Sequence, residues 1–456
     1  SYLPKAGASD TPAKAEAERS ACMKSVKRGE KLIILLLILF FVGMAILVAK
    51  VAKESTFYMS HSNDVTLGYV YDANGEVLFD PKASDANYAH DYFLDVGNLI
   101  GDDSGQMTNT LVSENLNYLQ NYNLIFGAVE TGKSAIYSTL NHQANRTVYD
   151  AFGDKNGTAI AYNYKTGEIL VCVSKPNVNI LDGYTNLDTL ENGSLICKAF
   201  YSTAPGSTQK VATTIAAIET IGYDALTQKT YNCSGSYVTK YDQVIQCHNH
   251  SGHGTQNITQ AFANSCNPFF AQLVQDLPLD GLINAYRKLG IAVNEDTEKP
   301  IDINGISSFS ASTQLTDPYD FNTMWSCMGQ SEAQASPCQL MLWQSAIANE
   351  TGCVTMPYLI DHVTNVMGTT TVQAETKYSD PEFAAATASE VKQIMVENGQ
   401  NNYQSIGYPV GVKSGTAQVE NGDSENSLLS GFCTDPNLPI AFCVAVSYTH
   451  LTLPTK

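Results

Sequence analysis

Three short stretches carry residues able to do acyl-transfer chemistry. Ser207-Thr208-Gln209-Lys210 sets a hydroxyl and an amine three residues apart, which on a helix puts them on one face, one turn apart. A serine that must shed a proton needs a base within hydrogen-bond reach, and a lysine serves once burial lowers its pKa. Ser265-Cys266-Asn267 begins 58 residues after Ser207; it offers a hydroxyl to pass a proton and an amide to hold a peptide group. Lys413-Ser414-Gly415-Thr416 lies 146 residues beyond Asn267. Its cation and two hydroxyls can hold a carboxylate, and Gly415 lets the backbone come close to a ligand. A strand N–H at that edge can complete an oxyanion hole with the N–H of Ser207.

Each stretch is weak alone. Ser389-Glu390-Val391-Lys392 repeats the first pattern, Ser113-Glu114-Asn115 and Ser424-Glu425-Asn426 the second, and Lys165-Thr166-Gly167 resembles the third. Ser207 could equally cap a helix with Lys210 solvated.

The elements that must position these residues can be read from spacing. Pro205-Gly206 marks a break, and Val211, Ile215 and Ile218 give the following segment an apolar stripe, so a helix runs from Ser207 to Ile221 with Ser207 at its N-terminus. Free N–H groups there favour developing negative charge. Pro268 puts Ser265–Asn267 at a junction between helical segments. Ser336 as N-cap, Pro337 in the first turn and Gln339 in a capping box open another helix, with Leu340, Trp343 and Ile347 on one face and Gly352 as its stop. "LGYVYDANGEVLFD" reads as a hairpin about Asn74-Gly75, and "NGTAIAYNYKTGEILVCVSKP" as two strands joined at Lys165–Gly167. "GVKSGTAQVE", "SLLSGFC" and "PIAFCVAVS" read as three late strands. Strands, many helices, then strands predict an α+β layer whose sheet is built from both ends.

Composition sets the surroundings. The 456 residues are 44% hydrophobic and 16% charged, with net charge −19. Residues 1–53 hold nine Lys/Arg against four Asp/Glu, so the other 403 carry −24. That balance argues against a nucleic-acid partner, which needs a basic surface. Leu32 to Ala49 is 18 residues without a charge, about 27 Å of helix and enough to cross the hydrocarbon core of a bilayer. Lys24, Lys27, Arg28 and Lys31 precede it, while Lys50 and Lys53 follow; this bias predicts a cytoplasmic N-terminus. Ala49-Lys50-Val51-Ala52-Lys53 is a poor cleavage site, so the segment reads as an uncleaved anchor.

Of 11 cysteines, most sit in apolar runs, where Cys acts as a small core residue. Cys233 and Cys247 bracket a polar loop, so a disulfide between them, or free thiols, is expected. Cys247, His248, His250 and His253 match no standard zinc spacing, and no metal site is expected.

The order of the three stretches is the discriminating feature. Ser207-x-x-Lys210, then Ser265-x-Asn267, then Lys413-Ser414-Gly415 resembles the trio of penicillin-binding proteins and serine β-lactamases. "YKTGEILVCVSKP", "GHGTQNITQAFANSCNPFF" and "MGQSEAQASPCQLMLWQSAIANETG" extend the resemblance over residues 155–446. The chain is similar to class B penicillin-binding proteins, membrane-anchored peptidoglycan D,D-transpeptidases.

The resemblance implies an α+β fold of the penicillin-binding transpeptidase and serine β-lactamase kind, an antiparallel sheet flanked by helices. It implies Ser207 as nucleophile on the penultimate D-Ala of a stem peptide and Lys210 as base. Ser265, helped by Lys413, would return a proton to the leaving amine. Asn267 would hold the peptide amide; Lys413, Ser414 and Thr416 would bind the terminal carboxylate beside Gly415. Ser207 and Thr416 would supply the oxyanion-hole N–H groups. β-Lactams would acylate Ser207, and no cofactor is implied.

The expected organisation is a cytoplasmic tail (1–30), an anchor (31–53), a small juxtamembrane module (54–150), a transpeptidase domain (151–446) and an atypical tail (447–456). About 100 residues between anchor and catalytic domain are too few for a glycosyltransferase domain, which implies a partner polymerase of the SEDS type. "YTHLTLPTK" lacks the closing helix usual in the family, so a truncated or foreign end is expected, and the N-terminus lacks Met. A serine β-lactamase, a β-lactam sensor and a division-machinery scaffold are the alternatives. The first needs a water-activating base, for which no Glu motif is found. The second needs a signalling domain, for which the tail is too small.

Overall fold

Long apolar side chains with no intervening proline build the first element, α1 (Pro12–Ser60). Its segment Val26–Ala49 has a mean hydropathy of 3.3 and its side chains are exposed. At about 1.5 Å per residue it is long and apolar enough to span a bilayer. The helix runs seven residues past the expected anchor boundary at Lys53. The structure, a computed structural model, describes residues 12–60, 65–81, 94–123, 127–179, 184, 187–419 and 424–448. Two compact units, 1–62 and 63–456, make up the chain. The first 11 residues of the predicted tail, and residues 449–456 of the atypical end, lie outside the described residues.

In the second unit, β1 (Tyr69–Tyr71) and β2 (Val77–Phe79) pair antiparallel about Gly75, whose φ of +85° suits glycine. β3 (Ala135–Ser138) pairs parallel with β1. α2 (His142–Ala151) starts where Asn141 Oδ1 accepts the N–H of Ala144. β4 (Asn156–Asn163) and β5 (Ile169–Lys175) form the hairpin read from the sequence, turning through Gly167.

A helical layer follows. A 3₁₀ turn, Gly206–Gln209, leads into α3 (Lys210–Ile221). Four short strands, β6 (Tyr231–Cys233), β7 (Ser236–Val238), β8 (Val244–Gln246) and β9 (Gly254–Gln256), form two ribbons, β6 with β9 and β7 with β8. Next come α4 (Ile258–Ala263), α5 (Asn267–Asp276), α6 (Leu279–Lys288), α7 (Phe321–Cys327) and α8 (Pro337–Ala348). Ser336 Oγ accepts the N–H of Gln339 at 3.0 Å, as its cap position predicts. The single apolar face expected for α8 is a correction: all twelve residues are buried. Gln344 Nε2 donates to Leu340 O at 3.1 Å and Ser345 Oγ to Leu342 O at 2.8 Å, while Gln344 Oε1 is buried without a hydrogen-bond partner. The helix is the spine of the domain rather than a surface element. α3 is likewise buried from Lys210 to Ile218.

β10 (Ile360–Thr364) and β11 (Thr370–Gln373) return to the first strands, giving a sheet of order β11-β10-β3-β1-β2. The juxtamembrane module is therefore not a continuous stretch ending at 150; two of its strands come from residues first placed in the transpeptidase domain. One cluster of buried side chains runs from Leu67 to Ala445 across both parts.

α9 (Ala385–Asn402) precedes the last strands, β12 (Val410–Val419), β13 (Ser424–Cys433) and β14 (Ile440–Tyr448). These join the hairpin in an antiparallel sheet of order β12-β13-β14-β4-β5. Lys413 pairs with Ser430, and Ala445 with Thr158. The sheet is thus closed from both ends of the domain, with α8 packed on β13 and β14.

Candidate active site

Ser207 stands in the 3₁₀ turn before α3, so its backbone belongs to a helix start. Two glycines make that turn possible. Gly206 has φ +53°, and a Cβ there would lie 2.7 Å from Thr416 O. Gly329 has φ +85°, and a Cβ there would lie 1.8 Å from Gly206 O. Its own carbonyl accepts the N–H of Gly206 at 2.8 Å. Gly415 fits by the same logic: a Cβ would sit 3.0 Å from Ser207 N and 2.9 Å from Pro205 O. The edge of β12 therefore lies directly against the Ser207 turn.

Lys210 is fully buried at the centre. Its Nζ lies 2.9 Å from Ser207 Oγ, 2.8 Å from Ser265 O, 2.7 Å from Asn267 Oδ1 and 3.3 Å from Ser265 Oγ. Asn267 Nδ2 donates to Gln246 O at 3.1 Å, which fixes the amide's orientation. A neutral lysine has two N–H donors and one lone pair. The donors match the Ser265 carbonyl and Asn267 Oδ1, and the lone pair is left for the Ser207 hydroxyl. Burial favours this state, pulling Lys210 down to about 7.

Lys413, only 1% exposed, reaches in from β12. Its Nζ donates to Ser265 Oγ at 2.9 Å and to Ser414 O at 2.7 Å. Burial, then the charge of Lys210, holds it well below the ordinary lysine value. Two ammonium groups in one dry pocket disfavour each other. Ser265 Oγ, between the two amines, can relay a proton from one to the other. Ser265 itself has φ +51°, an uncommon conformation for a residue with a side chain. It is pinned by Ser265 N–H to Phe262 O (3.1 Å) and Cys266 N–H to Ala261 O (2.9 Å).

A cleft of about 800 Å³ opens on this cluster. Ser207, Ser265, Asn267, Ser414, Gly415 and Thr416 line it, while the two lysines lie beneath the floor. Phe321, Asn322 and Trp325 of α7 and Gln330 contribute to its lining.

The structure brings Ser207, Lys210, Ser265, Asn267, Lys413, Ser414, Gly415 and Thr416 together and scatters the look-alikes. Lys392 Nζ donates to Ala348 O and pairs with Glu350. Ser113 caps a short helix with Thr110, and Asn426 donates to Thr203. Lys165–Gly167 is the β4–β5 turn. Three residues were not foreseen: Gly329, Gln330, whose Nε2 donates to Thr416 O at 3.3 Å, and Tyr403, whose hydroxyl donates to Ser414 Oγ at 2.6 Å. Gly329 and Gln330 lie within the "MGQSEA" segment already singled out. Tyr403, at the end of α9, has no local signal.

Of the two states expected for Cys233 and Cys247, a disulfide or free thiols, the structure has the second. Both are buried free thiols. Their sulfurs converge with His253 and Cys266 on a common centre instead of closing on each other.

Fold and motifs define a serine transpeptidase domain, and the model of the penicillin binding protein transpeptidase domain matches residues 157–452. The chain belongs to that family. Stage V sporulation protein D of Bacillus subtilis is 27% identical over 300 residues, 63% of this chain and 44% of that protein. The D,D-transpeptidase domain of a peptidoglycan glycosyltransferase from Eggerthella lenta superposes with a TM-score of 0.68 at 21% identity, covering 83% and 93% of the two chains. Penicillin-binding protein A of Mycobacterium tuberculosis, as its penicillin G acyl-enzyme, gives 0.71 at 18%, covering 83% and 93%. These structures share the fold. The chain spans less than half the length of the first curated relatives it matches.

Proposed function

We propose that the protein is a membrane-anchored peptidoglycan D,D-transpeptidase that crosslinks stem peptides through an acyl-enzyme on Ser207, where β-lactams also react. The observation that carries this reading is the 2.9 Å approach of a buried Lys210 amine to Ser207 Oγ, with its other two bonding directions taken by Ser265 O and Asn267 Oδ1.

Lys210 takes the hydroxyl proton as Ser207 Oγ bonds to the penultimate D-Ala carbonyl carbon. The N–H groups of Ser207 and Thr416 receive the developing oxyanion. The C–N bond then breaks, and Ser265, fed by Lys413, gives a proton to the departing D-Ala amine. Ser414 and Thr416 hold the terminal carboxylate, and Asn267 turns its amide to the peptide. An amine from a second stem peptide attacks the ester, forming the crosslink and returning the proton to Ser207. Two moderate steps replace one hard one.

The anchor places the enzyme in a bacterial cell membrane. The lysines and arginine before the span set the N-terminus inside, which leaves the acidic bulk of the chain outside. For glycan polymerisation the reading assigns a membrane partner of the SEDS type, as the resemblance to class B penicillin-binding proteins implies.

The test is intact-mass spectrometry of the full chain in detergent after benzylpenicillin, with Ser207→Ala beside it. An adduct on the wild type alone, lasting many minutes, is expected. Rapid loss of the adduct with drug turnover would make the protein a β-lactamase, and no adduct on folded protein would end the reading.

A further inference from the structure

The ribbon of β7 and β8 leaves the cleft at Asn267 and ends in an exposed aromatic cluster. Asn267 Nδ2 donates to Gln246 O, and Gln246 itself lines the cleft. Gln246 pairs with Ser236, and Val244 with Val238. Side chains alternate along a strand, so Gln246, Val244 and Val238 share one face of the ribbon. That face is polar at the cleft and turns apolar about 7 Å further out. Val238 is 55% exposed and Val244 44%. Beyond them Tyr241, at the tip, is 51% exposed, and Tyr319 beside it 39%.

The cluster is held in place. Thr239 is buried at the tip; its Oγ1 accepts the N–H groups of Tyr241 and Gln243 at 3.3 and 3.2 Å, and its own N–H donates to Gln243 O at 2.8 Å. Asp242 completes the turn at φ +59°, a conformation that Asp adopts more readily than most residues. Tyr241 OH donates to Asp317 Oδ2 at 2.8 Å, and Asp317 Oδ1 accepts the N–H of Tyr319 at 3.0 Å. Lys240 Nζ lies 4.7 Å from the centre of the Tyr319 ring and 5.7 Å from that of Tyr241. Two residues after Tyr319 comes α7, whose Phe321, Asn322 and Trp325 line the cleft. The tip of the ribbon is thus fastened to a second segment that also leads into the cleft, and the rings are ordered before any ligand arrives.

Position and size identify the occupant. With the terminal carboxylate at Ser414 and Thr416 and the peptide amide at Asn267, a stem peptide leaves the cleft past Asn267 and along Gln246. Its far end, which is joined to the glycan strand, is then carried towards the tip. Four side chains with this exposure present roughly 300–400 Å². A patch of that size is often functional, yet it falls well short of the about 800 Å² that each partner buries in a stable protein contact. A sugar ring matches it better: its C–H face lies on tyrosine and valine, while Lys240 and Asp317 meet its hydroxyls. We propose that Val238, Lys240, Tyr241, Val244, Asp317 and Tyr319 form a subsite for the glycan strand that bears the donor stem peptide. The direction of the peptide, and so the choice of glycan, rests on the acyl-transfer reading. A contact this far from the reacting atoms is the same in ground state and transition state, so it lowers KM and leaves kcat alone.

The test uses the full chain in detergent. Release of D-Ala is followed from a stem peptide alone and from the same peptide on a short glycan. The glycan-linked substrate should show a KM roughly tenfold lower at equal kcat. Tyr241→Ala with Tyr319→Ala should bring the two KM values together. Val238→Thr with Val244→Thr keeps residues that suit a strand and should close most of the gap. Tyr378→Ala, at an exposed tyrosine on the β4–β5 turn, should keep it. Benzylpenicillin, which carries no glycan, checks that each variant has a folded, working site. Equal KM values in the wild type would overturn the proposal, as would a gap that survives both double variants. Saturation-transfer NMR with an N-acetylglucosamine tetramer needs no turnover. Signal at the ring C–H protons is expected with Ser207→Ala protein and should vanish once Tyr241→Ala and Tyr319→Ala are added; no signal with Ser207→Ala alone would also overturn the subsite. Wild type that neither releases D-Ala nor takes benzylpenicillin, with the NMR signal intact, would end the acyl-transfer reading and leave the glycan site standing.

Discussion

Lys413 Nζ lies 2.9 Å from Ser265 Oγ, although 148 residues separate the two in the chain. Lys210 approaches the same oxygen from the other side at 3.3 Å. One hydroxyl therefore joins two buried amines, and replacing it by Ser265→Ala breaks the only bridge between them among the described contacts. Acylation by a fluorescent penicillin should fall roughly 10²- to 10⁴-fold, the usual worth of a positioned proton donor, with unchanged melting behaviour.

Lys210→Ala should lower acylation by a comparable factor, and Lys210→Arg should not restore it. Arginine keeps its charge at any accessible pH and cannot take the Ser207 proton. Stopped-flow acylation of both variants decides this; full activity in the arginine variant would remove Lys210 from the role of base.

The pH profile follows from the same amine. Lys210 is pulled down to about 7 by burial, and only its neutral form accepts a proton. Acylation should climb about tenfold per unit below pH 7 and level off above it. A profile flat from pH 5 to 9 would contradict this.

A second titration concerns stability. His142 donates to Asp95 and Glu76 at 3.2 and 2.9 Å, and the Asp95 hydrogen bond raises it from 6.5 to about 9. A raised pKa means the folded state holds the proton more tightly than the unfolded one. The added stability is complete below about 6.5 and is lost as pH rises through about 9. Thermal melts of wild type and His142→Gln should differ at pH 6 and converge above pH 9.

Two glycines with the same φ of +85° separate strain from placement. Gly75→Ala meets nothing within 4 Å, so it should cost only about 1 kcal/mol of backbone strain and leave acylation intact. Gly329→Ala would drive a methyl into Gly206 O, move the Ser207 turn and abolish acylation.

Tyr403→Phe removes the donor to Ser414 Oγ. Losing one hydrogen bond of about 1 kcal/mol should slow acylation roughly fivefold.

Much of this site was legible because its residues come in short motifs with distinctive neighbours. Pro205-Gly206 announced the turn, Pro268 the junction, and alternation the three late strands. Long-range pairing was not legible. Nothing in "IDHVT" says that it will cross to β3, since a five-residue strand carries too little pattern to name its partner. The burial of α8 on all sides was hidden because Gln344 and Ser345 read as a polar face until their bonds are seen. The convergence of Cys233, Cys247, His253 and Cys266 was hidden for a similar reason: the spacing of Cys247 and His253 matches no standard pattern, and only the β6–β9 pairing brings Cys233 to His253.

The sheet closed from both ends has a consequence in time. During synthesis Ser207 and Lys210 emerge about two hundred residues before Lys413. Until β12 to β14 thread in beside β4, the turn has no strand edge against it and no second amine behind Ser265. The growing chain therefore carries its nucleophile in a harmless form, and reactivity arrives only with β12 to β14.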